Sequence, residues 1–188
     1  MTAMLQMQTG ISLKLAQCAA IAAALALLST FPSGAQAQPR QMAQVFFLHD
    51  TGKGMPEAVA VARTIPGTAS VLKNALIALF KGPTEEERAK GLSAYFSPET
   101  VEDYNTECQK KRDAGTLKPL GRYFIGATIL HDGTAVIDFR PDAMCYLENT
   151  PGNASRVMEP IERTARQFPS VKDVQYSING KRVGGWDA

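Results

Sequence analysis

The chain has 188 residues, with 20 Lys and Arg against 18 Asp and Glu and a formal net charge of +2. That balance gives no electrostatic case for nucleic acid, which requires a strongly basic face. Three cysteines occur, at spacings that fit no two-plus-two zinc pattern.

The first predicted segment is expected to lie outside the folded domain. Lys14 precedes an apolar run from Leu15 to Leu28, followed by Ser33-Gly34 and the small-residue site Ala35-Gln36-Ala37. Residues 1–37 therefore read as a secretory signal peptide cut before Gln38. The run is too short, and too closely followed by Pro32 and Gly34, for a membrane span in the mature protein. Left uncleaved, it would be an N-terminal anchor. Leu15-Ala16-Gln17-Cys18 faintly resembles a lipobox, but Gln17 is not small and Cys18 lies inside the apolar run. A soluble exported protein, periplasmic or extracellular, is the expectation. The remaining residues 38–188 suit one domain with a real core and carry a net charge of +1, since Lys14 is the only charged residue removed. They keep two cysteines, Cys108 and Cys145. In an oxidising compartment these are candidates for a disulfide, with two free thiols as the alternative.

A leader, residues 38–43, opens the mature chain. Val45 to Leu48 is a first strand, ended by Asp50-Thr51-Gly52-Lys53-Gly54, and Ala58 to Ile65 is a second, stopped by Pro66-Gly67; together they form an initial hairpin with a Gly-rich loop. Val71, Leu72, Ala75, Leu76, Leu79 and Phe80 then draw a broad apolar helical face, capped by Thr68 or Ser70 and ended by Gly82-Pro83. Thr84 and Glu87 make a capping box for a short charged helix that closes at Gly91. Its acidic run, Glu85 to Glu87, suits a helix N-terminus better than a metal site.

Ser97 to Gly115 carries the punctuation of one helix: Ser97 as cap, Pro98 at the first position, acidic residues early, Lys110-Lys111-Arg112 late and Gly115 after the end. Val101, Tyr104 and Cys108 share a face of it. Its basic run is a solvated helix end or a contact for an anionic polymer. Next come two β-rich runs within Arg122 to Phe139, joined by Asp132-Gly133, the dipeptide of a tight hairpin. Alternation places Ile125, Ala127 and Ile129 on one face of the first run and Ala135, Ile137 and Phe139 on one face of the second. A loop from Pro141 to Asn153 holds Cys145. Val157, Met158, Ile161, Ala165 and Phe168 repeat at helical spacing as a second covering helix, which either begins near Pro160 or kinks there. Val174, Tyr176 and Ile178 alternate in a last strand, Asn179-Gly180 turns the chain, and a tail, residues 183–188, ends near Trp186.

In this order the elements resemble the GerMN domain, a sporulation and spore-germination module of exported bacterial proteins. The matching residues are Ala60 to Pro66, the helix Leu72 to Leu79 running into Gly82-Pro83-Thr84, Gly91-Leu92, Asp132 to Phe139, Gln167 to Val174, and Ile178-Asn179-Gly180-Lys181. The resemblance covers residues 44–182 and departs from the family pattern at an insertion, residues 95–120, where a short connection is usual. A Cys108–Cys145 bond would tie that insertion to the loop after the hairpin. The resemblance implies an α+β fold, a small mixed or antiparallel sheet covered by two main helices, with an inserted helix. It implies action through protein contacts, similar to ring-building modules of envelope assemblies, and it offers no catalytic set, cofactor or metal to carry over.

Three functions are weighed on these residues. The first is a non-catalytic exported domain that binds envelope proteins or itself, with Tyr104, Lys110, Lys111, Arg112 and Trp186 as the candidate interaction surface. The second is a hydrolase built from His49, His131, Asp50, Asp132, Asp138 and Cys145, although no helical metal spacing and no Gly-x-Ser-x-Gly elbow occurs. A third is a module for peptidoglycan or another cell-wall glycan, stacking sugars on Tyr95, Phe96, Tyr104, Tyr123, Tyr146 or Trp186.

Overall fold

A computed structural model describes residues 39–52, 55–101, 105–148, 152 and 154–183, all within the unit Gln38–Ala188. The predicted signal peptide, Tyr104 and Trp186 lie outside the described residues.

Two long β-rich runs open the domain. β1 (Arg40–His49) and β2 (Glu57–Pro66) pair antiparallel along their full length, from Arg40 opposite Pro66 to His49 opposite Glu57. β3 (Leu92–Ser93) adds to the other edge of β1, only at Leu48 and His49. The second sheet has the order β4 (Phe124–Ile129), β5 (Thr134–Phe139), β6 (Asp173–Ile178) and β7 (Lys181–Arg182). β5 and β6 run parallel, which demands a long crossover. That crossover contains α4 (Met144–Leu147), π-helical turns at Ala154–Met158 and α5 (Glu159–Arg166). Between β2 and β4 in sequence come α1 (Val71–Phe80), α2 (Glu85–Ala89) and α3 (Thr106–Asp113).

The α+β class is the one expected, and the apolar helical faces read from the sequence are the buried ones. Leu72, Leu76 and Leu79 of α1 and Ile161 and Ala165 of α5 join Val45 and Phe47 of β1 and Ala135, Ile137 and Phe139 of β5 in one contiguous core. The strands divide into two sheets where a single small sheet was expected. Side chains of the α5 region explain why. The Gln167 amide accepts from Gln44 N–H at 2.7 Å and donates to Gln44 C=O at 2.5 Å. Thr164 Oγ1 accepts from Phe46 N–H at 3.2 Å. These groups occupy the edge of β1 beyond β3, so no strand of the second sheet can pair there.

Alternation alone misplaces Ile125. The β4–β5 ladder shifts between Phe124 and Gly126, leaving Ile125 as the extra residue of a bulge that reverses the faces on either side. Phe124 therefore shares the core face with Ala127 and Ile129, and Ile125 turns outward, 42% exposed. At the hairpin tip Gly133 has φ +92, and a Cβ there would stand 2.8 Å from Lys172 Cγ. Its neighbour Asp132 accepts from Thr134 N–H at 2.8 Å, which holds the Asp132 carboxyl below its usual pKa.

The helix expected from Ser97 to Gly115 is two pieces. Pro98–Thr100 form a single 3-10 turn, and α3 starts only after Asn105, whose side-chain oxygen accepts from Glu107 and Cys108 N–H. Asn105 is a better cap for this geometry because it reaches two free N–H groups, whereas Ser97 caps none. The Pro160 alternative resolves in favour of a start: regular α-helix begins at Glu159, with Pro160 in its first turn, where a missing N–H costs nothing. Among the described residues no helix is long and apolar enough to cross a membrane.

Candidate functional site

α3 is clasped to the segment that follows β5. Cys108 and Cys145 form a disulfide with Cα atoms 5.5 Å apart, and both residues are buried. Beside it Lys111 Nζ meets Asp142 Oδ1 at 2.8 Å, an anion that raises the Lys111 pKa. Asn105 donates to Glu148 as well as capping α3. Further along, the Lys118 peptide is gripped from both sides. Its N–H donates to the Tyr123 hydroxyl at 2.8 Å, and its C=O accepts from the Tyr146 hydroxyl at 2.8 Å. Burial pushes the Tyr146 phenol up from its ordinary pKa.

These bonds engage two of the five candidate interaction residues. Lys111 is committed to Asp142, and Arg112 donates to Val101 C=O at 3.1 Å. Lys110 stands exposed on α3. Of the aromatic residues, Phe96, Tyr123 and Tyr146 are buried, and the Tyr95 ring carries the Arg156 guanidinium 5.2 Å from its centroid. Their faces are occupied by the protein itself.

The candidate catalytic residues are dispersed. His49 ends β1 with its imidazole ring beside Gly91, whose φ is +85. His131 and Asp132 sit at the exposed hairpin tip. Asp50 accepts from Gly52 N–H at 2.8 Å. Asp138 accepts from Ser177 Oγ at 2.7 Å and Gly180 N–H at 2.9 Å, which fixes the β6–β7 turn where Asn179 and Gly180 both have positive φ. Cys145 is bonded to Cys108. Each carboxylate serves a turn, and no pair of these groups is brought into a base–nucleophile arrangement. Among the described residues no group of three His, Cys, Asp or Glu is placed to hold a metal ion.

Two features emerge only in three dimensions. Arg63 of β2 makes a bidentate pair with Glu87 of α2, at 2.6 and 2.5 Å, and its guanidinium lies 5.4 Å from the centre of the Phe47 ring. Hydrogen bonding to Arg63 is the main cause that holds the Glu87 carboxyl down to a pKa of about 2. The second is a cleft of about 580 Å³ between the first turn of α1 and β4, with Ser70, Lys73, Ala127, Ile129 and Phe168 in its walls. A shallower recess of about 470 Å³ shares Ser70, Lys73 and Ala127 and extends to Asp138.

Residues 44–184 match the family described as Germane, sporulation and spore germination. Among solved structures, the chain is similar to the first GerMN domain of the sporulation protein GerM from Bacillus subtilis. The two share 21% identity over 79% of this chain and 90% of that one, with a TM-score of 0.49. It is also similar to the tandem GerMN domains of the same protein, at 20% identity over 81% of this chain and 43% of that one, with a TM-score of 0.49. No curated protein matches the chain.

Proposed function

The chain belongs to the Germane family of sporulation and spore germination, and from that premise we propose that it is an exported, non-catalytic GerMN-like domain that works by contact with proteins of the bacterial cell envelope. The observation that carries this reading is the extent of the match. Residues 44–184 take in both sheets, both covering helices and the insertion, so a whole fold is shared and not one motif. The commitment of Asp50, Asp132 and Asp138 to turns supports a structural role for the residues with most catalytic potential. Export is supported by the signal-peptide pattern of residues 1–37 and by the Cys108–Cys145 bond, which persists in an oxidising compartment.

Crosslinking in living cells followed by affinity purification tests the reading, together with light scattering of the purified protein over a range of concentrations. A specific envelope protein recovered in proportion to crosslinker, or a discrete oligomer, is the expected outcome. A monomer at every concentration with no crosslinked neighbour would overturn it.

A further inference from the structure

Sheet edges decide what can add to this fold, and the free sides of β1 and β4 differ. The edge of β1 is closed by β3, Gln167 and Thr164. The outer edge of β4 is not. Leu130 N–H donates to Thr134 C=O at 2.9 Å, which sets the phase of the ladder. Gly126 and Thr128 turn their backbone groups toward β5, and Ala127 and Ile129 turn theirs away. Among the described residues no hydrogen bond reaches those outward N–H and C=O groups. Natural edge strands are blunted by charges, prolines, bulges or a covering element, and of these β4 has the bulge at Ile125, which Ala127 and Ile129 lie beyond. β4 reads Phe-Ile-Gly-Ala-Thr-Ile, with neither charge nor proline, and the cleft lies between this stretch and the first turn of α1.

The chemistry of the cleft selects an occupant. Lys73 is half-buried in its wall, and its Nζ lies 3.9 Å from where a Cβ of Gly126 would be. No carboxylate pairs with it among the described residues. Asp138, in the adjoining recess, is directed to Ser177 and Gly180. A half-buried ammonium beside an open strand edge suits a carboxylate brought by an incoming chain. Ile125 and Leu130, 42% and 46% exposed at the two ends of β4, offer apolar contacts to the side chains of that strand.

We propose that the outer edge of β4 docks an extended acidic segment of a protein partner, which joins the second sheet as an added strand while Lys73 takes its carboxylate. This surface deepens, and rests on, the reading of the domain as one that acts through protein contacts. Main-chain pairing at Ala127 and Ile129 supplies the attachment, and the lysine supplies register and selectivity.

Short synthetic peptides of alternating Val and Thr test it, with the protein expressed from its full sequence. One carries a central Glu, one a central Lys, and one a central Glu with alternate backbone amides methylated. Fluorescence anisotropy should show the Glu peptide binding and the methylated peptide failing to bind. Lys73→Glu should weaken the Glu peptide about tenfold or more and strengthen the Lys peptide. Amide exchange should slow at Ala127 and Ile129 on binding. Binding that survives methylation, or that ignores Lys73→Glu, would overturn the proposal, as would no binding at millimolar peptide. An envelope partner that crosslinks equally to wild type and to Lys73→Glu would leave the general reading intact and sink this one.

Discussion

Glu87 joins two tasks in one carboxylate. It closes the capping box of α2, accepting from Thr84 N–H at 2.8 Å while Thr84 Oγ1 accepts from Glu87 N–H at 3.3 Å, and it takes both guanidinium nitrogens of Arg63. The cap was legible because its partners lie within one turn. The ion pair was not, because Arg63 is on a strand 24 residues away and no local pattern reports that distance. Glu87→Gln separates the two tasks, since glutamine still caps but cannot pair as an anion. The folded pKa of Glu87 is depressed to about 2. Its contribution is therefore fully present above the unfolded carboxylate range and is lost as pH falls through about 2. The variant should be less stable than wild type by about 1 kcal/mol at neutral pH, the upper end for an ion pair that keeps some contact with solvent. Thermal melts from pH 7 to pH 2 should show that gap closing below about pH 4. A gap that stays constant across the range would assign the loss to something other than the Arg63 pair.

Elements far apart in the chain are held by a few side-chain substitutes for backbone pairing. Gln167 is the strongest case, with its amide in the place of a strand residue against Gln44. Gln167→Ala should lower stability by about 1 kcal/mol for the lost bonds and speed amide exchange at Gln44, while β5 amides keep their rates. Equal acceleration in both sheets would mean that α5 itself had been disturbed. α3 relies on a covalent tie. The Cys108–Cys145 bond spans a sequence separation of 37, worth roughly 3 to 4 kcal/mol in the chain-entropy model. Replacing both cysteines by serine should lower the melting temperature and loosen α3 more than the β4–β5 hairpin in hydrogen exchange. Identical melting with and without reductant would contradict this. The positions of these elements were largely readable from helix caps, Gly-Pro stops and Asp-Gly. The bulge at Ile125 and the start of α3 at Thr106 instead of Pro98 were not readable. A bulge changes pairing without changing composition. The sequence from Ser97 to Gly115 satisfies one helix as well as two pieces until Lys111, Asp142, Asn105 and Glu148 are brought together.

At the scale of the molecule, periodicity states which face of an element is buried but not which sheet it joins. For that reason a one-sheet reading and a two-sheet structure share nearly the same core residues. Leu76 is the position at which to test whether α1 joins the two sheets into one cooperative unit. It is fully buried on α1, the helix that touches β1 and β2 of the first sheet and β4 of the second. Leu76→Ala removes apolar volume that neither sheet alone can refill, and should cost about 2–4 kcal/mol. In a domain of this size that corresponds to a fall of roughly 6–12 °C in melting temperature. If the core is one unit, the loss must be felt equally at Phe47 in β1 and at Ile137 in β5, although neither is on the same element as the substitution. Native-state hydrogen exchange at those two amides should then report the same reduced opening free energy, and calorimetry should show a single transition with equal calorimetric and van't Hoff enthalpies. Two transitions, or a loss confined to the β1–β2 ribbon, would mean that the sheets fold as separate units joined by α1. A partner strand added at β4 would then stabilise only the second of them.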